Sequence, residues 1–244
     1  MHQFIAFQDI WIYAGMALLI ALSAFMQGLG GVGFSMFAAP IAAIFVPQMV
    51  PATLLTLGGL VSLLTAWRER QDIIWPGTKR ALIGRLIGTV IAISAMTQLS
   101  PKLVNLLFAA LILLAVALSL AGWRIMATNR NVTIAGIVSG LMGTLTSVGA
   151  PPLAIAFQHS PPPGLRATLG ATLFVGSIFS LSLLALTGHY SQQQFFLGLA
   201  LAPFMVLGFT LSSRVRRHVR PAAVRRLLLT VCSASAIGLI VKIL

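Results

Sequence analysis

The sequence predicts an all-α polytopic membrane protein, with about eight long transmembrane helices plus two short broken or re-entrant segments in two inverted-topology repeats. Three observations predict it: the composition, the length of the apolar blocks, and an ordered similarity between the two halves. Of 244 residues, 58% are hydrophobic and only 8% are charged, with a mean hydropathy of +0.99. A soluble domain carries about a quarter of its residues as charges. The apolar residues form blocks of about 15 to 22 residues, close to the length that crosses a hydrocarbon core of roughly 30 Å as a helix. No alternating pattern of the kind a β-barrel needs is present. Lipid offers no partner to exposed backbone groups, so these blocks are expected to be helices.

Taken in order, the first block is Ile10–Met26. No positive region precedes it, so it is expected to be a span rather than a cleavable signal. Phe34–Val46 follows a glycine-rich break and is too short to cross unaided. Pro51–Trp67 and Ala81–Gln98 flank the basic loop Arg68–Arg80, and Leu103–Trp123 closes the first set. The second set runs Val132–Val148, the short Leu153–His159 after a Gly/Pro-rich break, Ala167–Thr187, Phe195–Leu211 and Leu227–Val241. Trp67, Trp75 and Trp123 fall at or near block ends, where an indole can sit at headgroup level. The single cysteine, Cys232, excludes an internal disulfide.

The two sets read as copies, giving repeats over 1–126 and 127–244. Gly28 and Gly140, Gly31 and Gly143, and Pro40 and Pro152 are each 112 residues apart. Ala52-Thr53-Leu54 matches Ala167-Thr168-Leu169 at 115, and Gly88/Gly208 and Pro101/Pro221 match at 120. Charge then sets relative orientation. The loop Arg68–Arg80 is basic, whereas its counterpart Gly188–Gln194 carries no Lys or Arg; one loop later the contrast reverses between Gln98–Lys102 and Arg214–Arg220. Lys and Arg mark cytoplasmic loops, so corresponding loops face opposite sides. Both termini are then expected on the periplasmic or extracellular side of a cytoplasmic (inner) membrane. Inverted repeats are a recurrent plan for secondary transporters.

The breaks are where a site is expected. The first reads Gln27-Gly28-Leu29-Gly30-Gly31-Val32-Gly33-Phe34-Ser35, and the second runs from Gly140 to Pro152. Glycines destabilise a helix by roughly 1 kcal/mol each relative to alanine and let backbone approach a ligand. Prolines stop the helix continuing undisturbed. Interruptions at matching places in two halves point to a binding site at the membrane midplane, with new helix N-termini offering N–H groups to an anion. The alternative is close helix packing through small residues. The expected substrate contacts are Gly30, Gly31, Gly33 and Ser35 in the first break and Thr144, Ser147 and Gly149 in the second. Beside them, Thr53 and Thr56 match Thr168 and Thr172 within one position and can act as neutral donors, or as glue between helices. Arg166, after Pro161-Pro162-Pro163-Gly164, is a candidate to recruit an oxyanion or an orientation signal at the headgroups. Arg85 is read mainly as a headgroup signal, and His159 and His189 as interfacial.

Several classes are disfavoured. The net charge of +13 suggests nucleic acid, but the basic residues sit in short clusters between apolar blocks, which fits membrane orientation and anionic lipid instead. Asp9, Glu69 and Asp72 are the only acids, all at expected edges or loops, so no intramembrane carboxylate relay is available. No catalytic constellation, metal-ligand cluster or Walker loop is visible, so neither an enzyme nor a cofactor is expected. Partners are expected to be a small anionic substrate and membrane lipids, with a homo-oligomer left open.

The stretch Gly28–Pro40, then Val46-Pro47, Pro51-Ala52-Thr53, Trp67-Arg68 and Asp72-Ile73-Ile74-Trp75, resembles the first half of the sulfite/organosulfonate exporter family, TauE/SafE. Gly136–Pro152, Ser160–Thr168, Gly188-His189-Tyr190 and the basic run before Leu227 resemble its second half. The resemblance implies an inner-membrane permease exporting sulfite, sulfoacetate or a related small anion, with the glycine breaks and nearby hydroxyls lining the path. Thr144-Leu145-Thr146-Ser147 departs from the glycine-rich run expected there. An anion-selective channel, or a transporter of another small solute, stays open as an alternative.

Overall fold

The computed structural model describes residues 10–120, 125–215 and 230. Their helices are α1 (Ile10–Gly30), α2 (Phe34–Phe45), α3 (Ala52–Arg68), α4 (Trp75–Gln98), α5 (Pro101–Leu120), α6 (Asn129–Thr146), α7 (Ala150–Ala156), α8 (Pro162–Leu186) and α9 (Gln192–Val215). Single 3-10 turns at Pro47–Met49 and Arg70–Asp72 link α2 to α3 and α3 to α4. Among the described residues there is no strand. Four helices, α1, α4, α8 and α9, are long and apolar enough to cross a membrane; α3 is shorter. Trp123, Cys232 and the expected span Leu227–Val241 lie outside the described residues.

Local chemistry sets the helix ends. α1 stops where Gly31 and Gly33 take φ of 80° and 131°, values that glycine adopts without steric cost. α6 starts at Thr128, whose hydroxyl accepts from Asn131 N at 3.3 Å. It ends at Ser147 with φ 66°. This is uncommon for a residue with a side chain, and Ser147 Oγ is tied to the carbonyl of Pro51 at 2.8 Å. Prolines in the first turn open α4, α7 and α8, where a missing N–H costs nothing.

Small residues decide how the helices meet. Gly84 and Gly88 on α4 lie against the backbone of Thr133, Ile137 and Leu141, while Gly136 and Gly140 on α6 lie against the backbone of Ala81 and Arg85. A β-carbon at any of the four would land on main-chain atoms of the other helix. The matching order along both helices means that α4 and α6 run parallel. Two small-xxx-small motifs thus face one another, which permits the closest approach two helices can make in lipid. The other side of α4 carries Ile83, Leu86, Ile87, Val90 and Ile91, all exposed. Such an apolar face suits hydrocarbon.

α1 and α9 also run parallel. Gly208 sits on the backbone of Ala21, Gly28 on Ser212 and Phe209, and Tyr13 donates to Ala200 O at 3.0 Å. α3 and α8 run antiparallel, with Gly59 against Ser177 and Gly170 against the backbone of Ser62 and Ala66.

These contacts place the ends. One face collects the ends of α1, α3 and α9 and the starts of α4 and α8: Arg68 donates to Gly28 O at 3.1 Å and Ser213 Oγ at 3.3 Å, and Ile74 N donates to Thr168 Oγ1 at 3.0 Å. Arg68, Arg70, Lys79, Arg80, Arg166 and Arg214 belong to these ends and starts. The opposite face collects the starts of α3 and α9, where Gln194 Nε2 donates to Gln48 O at 3.0 Å. α2 begins beside Gly58, midway along α3, and leads back to the face from which α1 starts. α7 begins beside Arg85, midway along α4, and Phe157 behind it meets Gly77 at the start of α4. Each short segment therefore leads back toward the face from which the helix before it starts.

Gly140→Leu is expected to prevent α4–α6 packing and lower stability by at least ~3 kcal/mol, since backbone cannot yield as a side chain does. Gly15→Ala, with nothing within 4 Å of the added carbon, should stay within ~1 kcal/mol of the parent. Melting of the two detergent-purified variants, followed by size exclusion, checks both.

Candidate functional site

The two breaks meet at one buried cavity. Gly33, Ser35 and Met36 line it from the first break; Ser147, Val148, Gly149 and Ala150 line it from the second. Gln27 of α1, Leu55, Gly58, Gly59 and Ser62 of α3, Arg85 of α4, and Leu173 and Ser177 of α8 complete the wall. The free space is about 30 Å³, room for about two waters.

Gln27, 3% exposed, holds the first break in shape. Its Oε1 accepts from Phe34 N, the first N–H of α2, at 3.1 Å, and its Nε2 donates to Ser62 Oγ at 3.2 Å. One side chain thus satisfies an orphan helix donor and joins α1, α2 and α3. In the second break the link runs through Ser139, whose hydroxyl donates to Gly149 O at 2.6 Å and accepts from Arg85 Nη1 at 2.7 Å. Pro151 and Pro152 have no N–H, and Ser147 N and Val148 N are already bonded to Gly143 O and Thr146 Oγ1. The second break therefore offers few backbone donors to a ligand, fewer than a helix N-terminus ordinarily does.

Arg85 supplies the donors instead. It is 2% exposed and among the largest fully buried side chains. Its guanidinium rests on three glycines: a β-carbon on Gly143 would stand 3.0 Å from Nη2, one on Gly149 2.7 Å from Nη1, and one on Gly176 would collide with Nε and Cδ. Arg85 Nε has no hydrogen-bond partner among the described residues. The headgroup position expected for Arg85 is corrected here. Gly84 and Gly88 turn toward α6, and Arg85, next to them on the helix, is carried inward with them.

The expected site residues divide. Gly33, Ser35, Ser147 and Gly149 line the cavity. Gly30 is exposed at the end of α1. Gly31 packs on the side chain of Arg166, and Arg166 is engaged with Glu69: Nη2 donates to Oε1 at 2.7 Å, and Nε lies 3.1 and 2.9 Å from the two carboxylate oxygens. Thr53 donates to Gln194 O at 3.1 Å, and Thr56 bonds the hydroxyl of Tyr190 at 2.9 Å, both toward α9. Thr144 joins Thr89 and Ser180 in a buried hydroxyl cluster. Thr168 accepts from Ile74 N, and Thr172 donates to its own helix at Thr168 O, 2.8 Å away. These threonines act here as links between and within helices.

Gln27, Ser62, Ser139 and Ser177 were not anticipated. The signal was available, because Ser62 and Ser177 are 115 residues apart, the offset of the Ala-Thr-Leu match, and Ser35 and Ser147 are 112 apart, the offset of the breaks. Among the described residues, no group of three or more His, Cys, Asp or Glu gathers to hold a metal.

Residues 16–239 match the family model described as sulfite exporter TauE/SafE. The chain belongs to that family. No curated protein and no solved structure gives a match. As a TauE/SafE protein with apolar helices long enough to span a bilayer, the chain is a transmembrane transport protein.

The Arg166–Glu69 pair, with side chains 14% and 12% exposed, should contribute about 2 kcal/mol, less than a fully buried pair. A double-mutant cycle of Arg166→Gln and Glu69→Gln, read as melting of the purified protein, is expected to show positive coupling of at least ~1 kcal/mol.

Proposed function

We propose that this TauE/SafE protein exports a small sulfite-like anion (sulfite, sulfoacetate or another sulfonate) by alternating access about the cavity where the two breaks meet. The observation that carries the reading is that cavity: segments from distant parts of the sequence, both interrupted by glycine or proline, face one another across it. Family membership supports the class of substrate.

The contacts support two inverted repeats, residues 1–126 and 127–244. Helices pair crosswise, α1 with α9 and α6 with α4, while α3 pairs with α8. That is the pattern expected of a two-fold axis relating α1 to α6, α4 to α9 and α3 to α8. Ser35/Ser147 and Ser62/Ser177, equivalent under the repeat offsets, all line the cavity, which suits a site on that axis. The hairpins α1–α2 and α6–α7 enter from opposite faces, so three further crossings per half would complete the plan, about eight long helices in all. The basic face, bearing Arg68, Arg70, Lys79, Arg80 and Arg166, is cytoplasmic by the positive-inside bias. Both termini then lie on the periplasmic side of the inner membrane, with lipid around the exposed apolar faces.

Export needs no coupling carboxylate. An anion leaving a negative-inside cell is driven by about 2.3 kcal/mol per charge per 100 mV. Glu69 is held by Arg166 and Asp72 lies exposed in the 3-10 turn between α3 and α4. Rocking of one repeat against the other would open the cavity to each face in turn. This is transport without chemistry on the substrate, so the protein is not an enzyme in this reading.

The test is uptake of labelled sulfite, sulfoacetate, sulfate and chloride into proteoliposomes under an imposed potential. Saturable, potential-dependent flux of sulfite or a sulfonate is expected, reduced at least ~10-fold by Gly149→Val, which fills the cavity beside Arg85. Flux of none of the four overturns the substrate class.

A further inference from the structure

Arg85 and Arg166 each rest on a glycine of a break, and the two glycines, Gly143 and Gly31, are 112 residues apart, the offset of the repeat. There the likeness ends. Arg166 is neutralised by Glu69. Arg85 has no carboxylate partner among the described residues, and the chain contains only three acids in all. Its contact through Nη1 is with a neutral hydroxyl, Ser139, and its Nε has no partner among the described residues. A guanidinium carries five N–H donors in a fixed fork that matches an oxyanion. A buried charge ordinarily has a counter-charge, because taking it out of water alone is costly.

We propose that the transported anion is itself the counter-charge of Arg85, so that the loaded protein changes face faster than the unloaded one and anion exchange outpaces net movement. This rests on the permease reading above and adds to it the residue and the kinetic regime. The fork of Arg85 takes the anion's oxygens, and Ser35 and Ser62 offer hydroxyls around it without adding charge, while Ser147 and Ser177 donate theirs to the carbonyls of Pro51 and Phe174. The glycines under the guanidinium leave that side of it free of side chains. Passing from one face to the other requires closing both entrances, and closure around Arg85 alone leaves its charge buried without compensation. Bound anion removes that penalty. The small free space selects a compact anion with charge spread over several oxygens.

Two measurements on the full chain test this. In proteoliposomes at zero potential, uptake of labelled sulfite is expected to be at least roughly tenfold faster with unlabelled sulfite inside than with impermeant gluconate inside. Equal rates overturn the exchange regime. In detergent, sulfite should raise the melting temperature of the parent protein, and Arg85→Met should abolish that rise while melting no lower than the parent, since an apolar side chain suits the site without a counter-charge. Arg85→Lys keeps the charge and loses the fork, so it should raise the KM for sulfite roughly tenfold. If Arg85→Met keeps both the sulfite-induced rise and saturable flux, Arg85 is not the anion's partner, although the permease reading stands. If Arg85→Met does not fold, Arg85→Lys decides, and an unchanged KM overturns the assignment. If the parent protein moves no anion at all, the permease reading fails first, and the proposal goes with it.

Discussion

The backbone contact between α4 and α6 is the constraint on which the rest depends. Four glycines, two on each helix, let the main chains touch where any side chain would hold them apart. Lipid tails are as apolar as leucine, so no hydrophobic force drives helices together in a bilayer, and close packing has to do it. The contact also fixes the rotation of α4. With Gly84 and Gly88 toward α6 and Ile83, Leu86, Ile87, Val90 and Ile91 outward, Arg85 has one place to go. It goes to the second break, where Gly143, Gly149 and Gly176 leave room for a guanidinium.

The two breaks share a plan but not a chemistry. In the first, Gln27 caps α2 and ties it to α3, and the glycines supply backbone angles closed to other residues. In the second, two prolines remove N–H groups from the start of α7, and Ser147 N and Val148 N are spent on local bonds. Arg85 and Ser139 take over the donor role there. The residue 120 positions after Arg85, the offset that relates Gly88 to Gly208, is Met205, buried and apolar. The cavity therefore has one charged wall, that of Arg85, rather than two.

Much of this was legible in the residues. Hydropathy located the helices because a 30 Å hydrocarbon layer demands a stretch of that length. The breaks were legible because glycine and proline act on the backbone locally, whatever surrounds them. The hydroxyls were harder. Threonines at matching positions looked like ligands, yet Thr53, Thr56, Thr168 and Thr172 bond carbonyls, a tyrosine or a backbone N–H, while the serines one or two turns further along α3 and α8 reach the cavity. Choosing between them requires the rotation of each helix, and a helix apolar on nearly every side gives little periodic signal of its rotation.

The arginines divide the same way. Residue order and composition established a membrane protein, its helical class, the shortage of acids and the places where helices break, since each follows from local preference or from the solvent the chain must face. Which arginine meets a carboxylate was decided only when α3 and α8 packed antiparallel and set Glu69 beside Arg166. Which arginine is buried was decided by the glycine contact between α4 and α6. Both outcomes depend on pairs of residues far apart in sequence, about 97 for Arg166 and Glu69 and 54 for Arg85 and Ser139. Charge pairing acts through space, and the chain order carries no record of distance until the helices are packed.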